Sequence, residues 1–396
     1  MVLTAKQELG LKISIERYKN HEPYTCIAGY AGTGKTTLIA HIVAALDLDP
    51  KRVCYVAYTG KAANVLKQKG CPNATTVHKL LYESQPLEDG TFINIPKENL
   101  SNLYSLIIVD EVSMLPIEMW ELMLTYGVPV IACGDPGQLP PIDPSQNNGV
   151  LDRPHVFLDE IMRQAKESEI IQLSMHIREG KPLSTFTCAQ KQVQIFSPHD
   201  VSTGMYEWAD QVICATNQKK QDINTLLRKL KGFPKEPQVG DKIIGMTNHW
   251  NFFSDNYQPL TNGTIGKIIN LNTTYMNIPA YIYPKRWIPI LRVDMIDEIG
   301  DVFEDIFIDY NALMTGEKTL DGRQEFQIRK NKRIRHDPPY DFSFGYAITC
   351  WKAQGSQWDK IMLFEEKFPS NREEHKRYLY TGITRAAEKA IVIRKD

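Results

Sequence analysis

Four short apolar runs, at residues 25–28, 53–57, 106–109 and 128–133, constrain the fold of this chain more than any other feature. A strand with one wet face alternates apolar and polar residues. A strand covered on both faces does not. None of the four runs alternates, so they read as parallel strands buried between layers of helix. Between the first two, residues 36–46 place Leu38, Ile39, Ile42, Val43 and Leu46 at helical spacing. Strand, helix, strand in that order is a βαβ unit, and its repetition predicts an α/β fold with a doubly wound sheet.

The pattern has two interruptions. Residues 82–95 hold Asp89-Gly90, a favoured hairpin turn, which predicts a β-hairpin inserted in the first α/β domain. A second α/β pattern follows, with helices expected at 167–177 and 218–230 and a strand at 212–215. It stops near Gly240, where residues 241–309 become rich in β-branched and aromatic residues and carry a turn signal at Asn262-Gly263. It resumes near Tyr340, with strands expected at 361–364 and 390–393. The expected organisation is a first α/β domain at 1–80 and 101–155 with a hairpin insert at 81–100. A second follows at 156–239 and 340–396, split by a β-rich insert at 240–339.

The first strand runs into Gly29-Tyr30-Ala31-Gly32-Thr33-Gly34-Lys35-Thr36, the pattern G-x-x-x-x-G-K-[ST], and the predicted helix follows at once. That strand–loop–helix context identifies a phosphate-binding loop. Glycines let backbone N–H groups converge on phosphate oxygens, and the helix N-terminus favours negative charge. Lys35 is expected to reach the β- and γ-phosphates and Thr36 to ligate Mg²⁺. Gly32, Thr33, Gly34 and Thr37 complete the cradle. The run 106–109 ends in Asp110-Glu111. Asp110 is suited to hold the metal and Glu111 to polarise the attacking water as general base. A P-loop with two carboxylates defines a nucleoside triphosphatase and little more, since switches, kinases and motors share it.

Composition narrows the class. The 396 residues carry 46 Lys and Arg against 47 Asp and Glu, a formal charge of −1, so this is no protein that coats nucleic acid by charge alone. A local groove that grips a strand by stacking and a few phosphate contacts remains compatible. No apolar run reaches the ~18 residues needed to span a bilayer, and residues 1–10 lack a signal-peptide core, so a cytoplasmic protein is expected. The 7 cysteines are scattered without a C-x-x-C pair, which argues against a zinc ribbon and for buried thiols in a reducing compartment.

Further motifs, in order, resemble those of superfamily 1 helicases of the RecD and bacteriophage Dda group, from about Thr4 to Ile393. Thr4-Ala5-Lys6-Gln7 resembles the upstream glutamine element, which implies that Gln7 reads adenine. Tyr58-Thr59-Gly60-Lys61-Ala62-Ala63 and Thr75-Thr76-Val77-His78 resemble the family's strand-contacting motifs Ia and its successor. Thr59, Lys61, Thr76 and His78 are then candidate nucleic-acid contacts, although Thr59 and Thr76 equally suit helix N-caps. Gly134-Asp135-Pro136-Gly137-Gln138-Leu139-Pro140-Pro141 resembles motif III. This implies that Gln138 senses the γ-phosphate and that Pro140 borders the strand groove.

Leu158-Asp159-Glu160-Ile161-Met162-Arg163-Gln164 resembles motif IV, and the stretch from Tyr378 through Thr384-Arg385-Ala386 resembles motif VI. The resemblance makes Arg163 and Arg385 arginine fingers, planar cations that neutralise charge on the transferred phosphoryl group. Tyr346-Ala347-Ile348-Thr349-Cys350-Trp351-Lys352-Ala353-Gln354-Gly355-Ser356 resembles motif V. Trp351 stands where the family usually has histidine, and either stacking on a base or core packing suits it. Thr349 is a candidate strand contact, and Gln354 and Gly355 candidate nucleotide contacts.

The resemblance implies two RecA-like P-loop domains in tandem, with a β-hairpin pin in the first and an SH3-like β-barrel in the second. Phe92, close to the hairpin turn, suits stacking at a fork or simple hairpin packing. The basic run Arg329, Lys330, Lys332, Arg333 and Arg335 suits a phosphate-contacting or a solvated face. Together these imply an ATP- and Mg²⁺-dependent DNA helicase that moves on single-stranded DNA, 5′ to 3′, and opens forked duplex. A working monomer is expected, with single-strand-binding or replication and recombination proteins as partners, in a host's cytoplasm if the chain is phage-encoded. A strand-stimulated translocase that remodels nucleoprotein, a viral-type RNA helicase and a P-loop switch without nucleic acid are the alternatives.

Overall fold

A computed structural model describes residues 3–68, 70–71, 73–86, 92–141, 143–256, 258–331, 334, 336–367 and 371–395. The chain divides into two compact units. One comprises Met1–Leu81, Lys97–Lys220 and Ile348–Asp396; the other comprises Tyr82–Pro96 and Gln221–Ala347.

The first unit holds both parallel sheets. Strands β1 (Tyr24–Gly29), β2 (Val53–Ala57), β3 (Thr75–Thr76), β4 (Leu106–Val109), β5 (Val130–Gly134) and β6 (Val156–Leu158) form a sheet of order β3-β2-β4-β5-β1-β6. Every pairing in it is parallel, with Ala28 opposite Gly134 and Val109 opposite Ala132. The unalternated runs are buried on both faces, as expected: β4 and β5 have no exposed residue. Ile27, Leu38, Ile42, Val53, Leu106, Ile108 and Ile131 share one core, onto which the helix Lys35–Leu46 lays Leu38, Ile39 and Ile42. Each such side chain contributes about 1.5–3 kcal/mol on burial.

The register has a functional consequence. Strands β1, β5 and β4 are neighbours, so the loops leaving their carboxyl ends converge, and ligands of open α/β sheets bind there. Those loops begin at Tyr30, Asp135 and Asp110.

The second sheet of this unit has strands β7 (Val193–Phe196), β8 (Gln211–Cys214), β9 (Ala347–Thr349), β10 (Trp358–Phe364) and β11 (Ala386–Ile393) in the order β9-β8-β10-β11-β7. The pairings β8–β10, β10–β11 and β11–β7 are parallel. Ala347–Thr349, where the chain re-enters the unit, completes it. The helix Glu169–Arg178 is tied to β7 by the buried Glu169 carboxylate, which accepts from the amides of Gln192 at 2.7 Å and Val193 at 3.1 Å.

The second unit is antiparallel. Strands Val302–Asp309, Trp287–Asp297, Ile265–Asn277, Lys242–Gly245 and Phe342–Phe344 pair in that order. Gly263 supplies the positive φ (89°) of the expected Asn262-Gly263 turn. Ile243, Ile268, Val293, Met295, Phe303 and Phe342 are buried, so this segment has a core of its own. The Arg228 guanidinium is fixed within it by the fully buried Asp241 carboxylate at 2.8 Å. The segment Tyr82–Pro96 is a hairpin, with Tyr82 opposite Pro96 and Pro86 opposite Phe92. The expected turn at Asp89-Gly90 lies outside the described residues, as do Lys332, Arg333 and Arg335 of the basic run. No described helix is long and apolar enough to cross a membrane.

Candidate nucleotide site

Strand β1 delivers the chain into the glycine loop, and Gly32 and Gly34 take φ of 76° and 78° there. Only glycine enters that region without strain. Space demands glycine as well. A Cβ on Gly34 would lie 2.5 Å from Gln7 Nε2, and one on Gly32 would lie 3.0 Å from Ala165 Cβ. Lys35 Nζ donates to the carbonyls of Gly29 (2.6 Å) and Tyr30 (3.1 Å). Thr33, buried, donates its hydroxyl to Tyr30 O. Thr36 is exposed at the helix start and Thr37 half-buried.

Gln7 lies under this loop. It is fully buried, its Oε1 accepts from Thr4 N in a capping box, and its Nε2 donates to Thr33 O (3.3 Å) and Gly34 O (3.4 Å). The side chain expected to read adenine is thus engaged with the phosphate loop's own backbone in this conformation.

Asp110 follows β4 and accepts the Glu111 amide at 3.0 Å. Glu111 takes the left-handed conformation, φ 53°, which costs a side-chain-bearing residue about 1–2 kcal/mol. Arg385 Nη1 stands 3.5 Å from Glu111 Oε1. Arg385 is buried, its Nε donating to Thr381 O (3.1 Å) and its guanidinium nitrogens to Ser356 O (3.4 Å) and Thr384 Oγ1 (3.2 Å). At Gly355, φ 73°, a Cβ would sit 3.3 Å from Thr59 Oγ1 and 3.4 Å from Glu111 Oε2. The motif V loop therefore approaches the general-base candidate closely.

The loop after β5 closes the site. Asp135 is buried and accepts from the Gly137 amide (2.9 Å) and the Tyr380 hydroxyl (2.6 Å). Burial pushes its carboxyl up; the Lys35 ammonium, these hydrogen bonds and the Arg385 guanidinium pull it back, and burial prevails. Tyr380 thus ties the helix before Arg385 to the loop after β5, and Arg385 itself reaches Glu111 in the loop after β4. Leu139 N donates to Thr381 Oγ1 (2.8 Å), and Gln354 Nε2 donates to Leu139 O (2.8 Å). Gln138 is buried, and its Oε1 has no hydrogen-bond partner among the described residues. A buried amide oxygen without a donor fits a site that receives one.

The remaining sequence candidates fall elsewhere or carry no described side chain. Arg163 opens the helix Arg163–Lys166; the adjacent Met162 N donates to Gly32 O at 2.9 Å, so this segment lies on the phosphate loop. The side chains of Arg163, Lys61 and Phe92 are outside the described residues. The Thr59 hydroxyl accepts from Ala62 N (3.2 Å) and the buried Thr76 hydroxyl from Lys79 N (3.3 Å), so both act as helix caps. His78 is half-buried, and burial lowers its pKa. Thr349 precedes the helix Cys350–Ala353, and Trp351 and Pro140 are half-buried. Residues not singled out from sequence also line the site. Tyr380 and Asp135 sat inside quoted motifs, whereas Arg178, whose guanidinium lies 3.5 Å over the Tyr30 ring, carried no local signal.

Fold and site define a P-loop nucleoside triphosphatase with two parallel sheets. The family model of an AAA domain matches residues 14–198, and that of a UvrD-like helicase C-terminal domain matches residues 344–393. The chain is 24% identical over 434 residues to the ATP-dependent DNA helicase dda of Enterobacteria phage T4, covering 97% of each. It is 24% identical over 392 residues to the ATP-dependent RecD2 DNA helicase of Deinococcus radiodurans, covering 92% of this chain but 46% of that one. Pif1 of Bacteroides bound to ssDNA shares the fold at TM-score 0.56 and 18% identity, over 99% of this chain and 92% of that one. The chain is thus similar to the superfamily 1 helicases, in the group that holds Dda and RecD2, and shares its fold with Pif1.

Proposed function

We propose that this ATP-dependent DNA helicase binds ATP between two RecA-like domains, at 1–80 with 101–155 and 156–239 with 340–396, and steps 5′ to 3′ along single-stranded DNA. The observation that carries the reading is Arg385, whose guanidinium reaches Glu111, while Tyr380 five residues before it bridges Ala31 of the phosphate loop and Asp135. The phosphate loop and the motif VI arginine belong to different sheets. Hydrolysis is then tied to how those sheets meet.

In this mechanism Lys35 leaves the carbonyls of Gly29 and Tyr30 for the β- and γ-phosphates. Glu111 orients and deprotonates the attacking water. Arg385, with Arg163, neutralises charge that develops on the γ-phosphoryl oxygens. Gln138 receives a donor on its orphan Oε1 as the terminal phosphate and its water arrive. The Thr36 hydroxyl and Asp110 carboxylate would hold Mg²⁺, which supplies charge neutralisation at the phosphate oxygens. Thr33, Gly34, Thr37, Gln354 and Gly355 shape the pocket, and Gln7 sets the loop's backbone.

Work follows from differential affinity. Closure around ATP and reopening after hydrolysis alternate the grip of the two domains on the strand. Opening a base-pair step costs ~1.4 kcal/mol. Thr59, Lys61, Thr76, His78, Pro140, Thr349 and Trp351 are the proposed strand contacts, with backbone amides serving where the hydroxyls cap helices. The hairpin carrying Phe92 is the proposed pin and the β-rich insert an SH3-like barrel. The protein acts as a monomer in the cytoplasm, alongside single-strand-binding or recombination proteins.

ATP turnover measured with and without single-stranded DNA, and again with RNA, tests this reading, together with strand separation on a forked duplex. Stimulation by DNA and ATP-dependent separation are expected. Turnover indifferent to both polymers would end it.

A further inference from the structure

Ala31 belongs to the phosphate loop, whose amides converge on phosphate oxygens. Its N–H donates to the Tyr380 hydroxyl at 2.8 Å, and that hydroxyl donates in turn to Asp135 Oδ2 at 2.6 Å. Tyr380 comes from the helix Arg372–Ile383, on the far side of the site in sequence by more than the whole first sheet. It is almost fully buried. The close seat is prepared: a Cβ on Gly137 would lie 3.0 Å from Tyr380 Cε1, so the ring rests on bare backbone there. The next residue, Thr381, accepts from Leu139 N. One helix therefore holds both the phosphate loop and the two ends of the Gln138 loop.

An amide proton forms one strong hydrogen bond at a time, so the Tyr380 oxygen and a phosphate oxygen compete for the Ala31 N–H. We propose that Tyr380 is a positioning residue that couples the terminal phosphate to the Gln138 loop: phosphate takes the Ala31 amide, the hydroxyl is released, and Asp135 loses or redirects its partner. Ala31 lies at the end of the loop beside Asp135 and away from the helix start at Lys35. The competition therefore concerns the terminal phosphate more than those held at the helix N-terminus.

The inference rests on the P-loop reading, and its test separates the two. Tyr380→Phe removes the hydroxyl and keeps the ring. Binding of a fluorescent ADP and of a fluorescent non-hydrolysable ATP analogue, each with Mg²⁺, is measured by titration for wild type, Tyr380→Phe and Thr381→Val. One neutral hydrogen bond removed from the competing side should tighten the triphosphate analogue roughly two- to ten-fold and leave ADP within about two-fold. Thr381→Val loosens the same helix from the Gln138 loop without touching Ala31, and should give no tightening. Unchanged or weaker analogue binding in Tyr380→Phe, equal tightening of ADP, or the same gain in Thr381→Val would each overturn the coupling while the P-loop reading stands. A wild type that binds neither nucleotide would overturn both.

Discussion

Replacing Arg385 by Lys keeps a positive charge and removes the fork. In the structure the guanidinium makes three bonds in different directions, to Thr381 O, Ser356 O and Thr384 Oγ1, and a fourth approach to Glu111 at 3.5 Å. One ammonium can satisfy about half of these. Losing two charge-assisted bonds at ~1.5 kcal/mol each, the low end because they are long, costs ~3 kcal/mol of stability. For a chain of this size that lowers Tm by several degrees, roughly 2–4 °C per kcal/mol or less, and leaves a folded protein. Catalysis should suffer more. An arginine finger contributes on the order of 10³–10⁵ in rate, and the lower end, ~10³ or about 4 kcal/mol, applies when charge is retained. Because that contribution is made in the transition state, kcat should fall while ATP affinity changes little. Steady-state turnover at saturating single-stranded DNA, beside nucleotide titration and a thermal melt, measures all three. A variant that keeps kcat within about ten-fold of wild type, or loses affinity with kcat intact, would refute the assignment.

Glu111→Gln should bind ATP normally and hydrolyse it about 10²–10⁴-fold more slowly in a single-turnover assay. Gly355→Ala places a methyl group against Thr59 Oγ1 and Glu111 Oε2 at a positive φ; turnover should fall at least several-fold with a stability loss of about 1–2 kcal/mol, read by kinetics and urea titration. Phe92→Ala should reduce forked-duplex unwinding more than DNA-stimulated turnover, and equal loss of both would remove Phe92 from the pin. His249, stacked 3.9 Å from the Tyr340 ring, has its pKa lowered to about 4 by burial and by Arg329 and Lys318. The unfolded imidazole, with a pKa of ~6.5, takes up protons the folded one refuses. Stability is therefore full above pH ~6.5 and declines toward pH ~4, by about 2 kcal/mol at pH ~5. Urea titrations at pH 7 and 5 should show that loss, and His249→Gln should show less of it.

The parallel strands were legible because burial on both faces removes alternation, and β2 and β4 begin and end where their apolar runs do. The glycine loop was legible because its chemistry is compressed into eight consecutive residues. What local pattern does not carry is which groups meet across the fold. Ala31 and Tyr380 are separated by 349 positions, and nothing near either announces the other. Gln7 is a similar case: its spacing from Thr4 fits a capping box, but only the tertiary approach of the phosphate loop puts its amide under Thr33 and Gly34. The hydroxyls of Thr59 and Thr76 suited both capping and phosphate contact, and packing decides their present use. The long hairpin of Ile265–Asn277 and Trp287–Asp297 was hidden for another reason: β-branched composition marks strands but not their register or partners.

Gln138 gives the protein a preference built into its resting shape. A dehydrated amide oxygen without a donor raises the energy of that shape by about 1–3 kcal/mol. Any conformation that brings it a proton is favoured by that margin before a strand or a phosphate adds its own contacts.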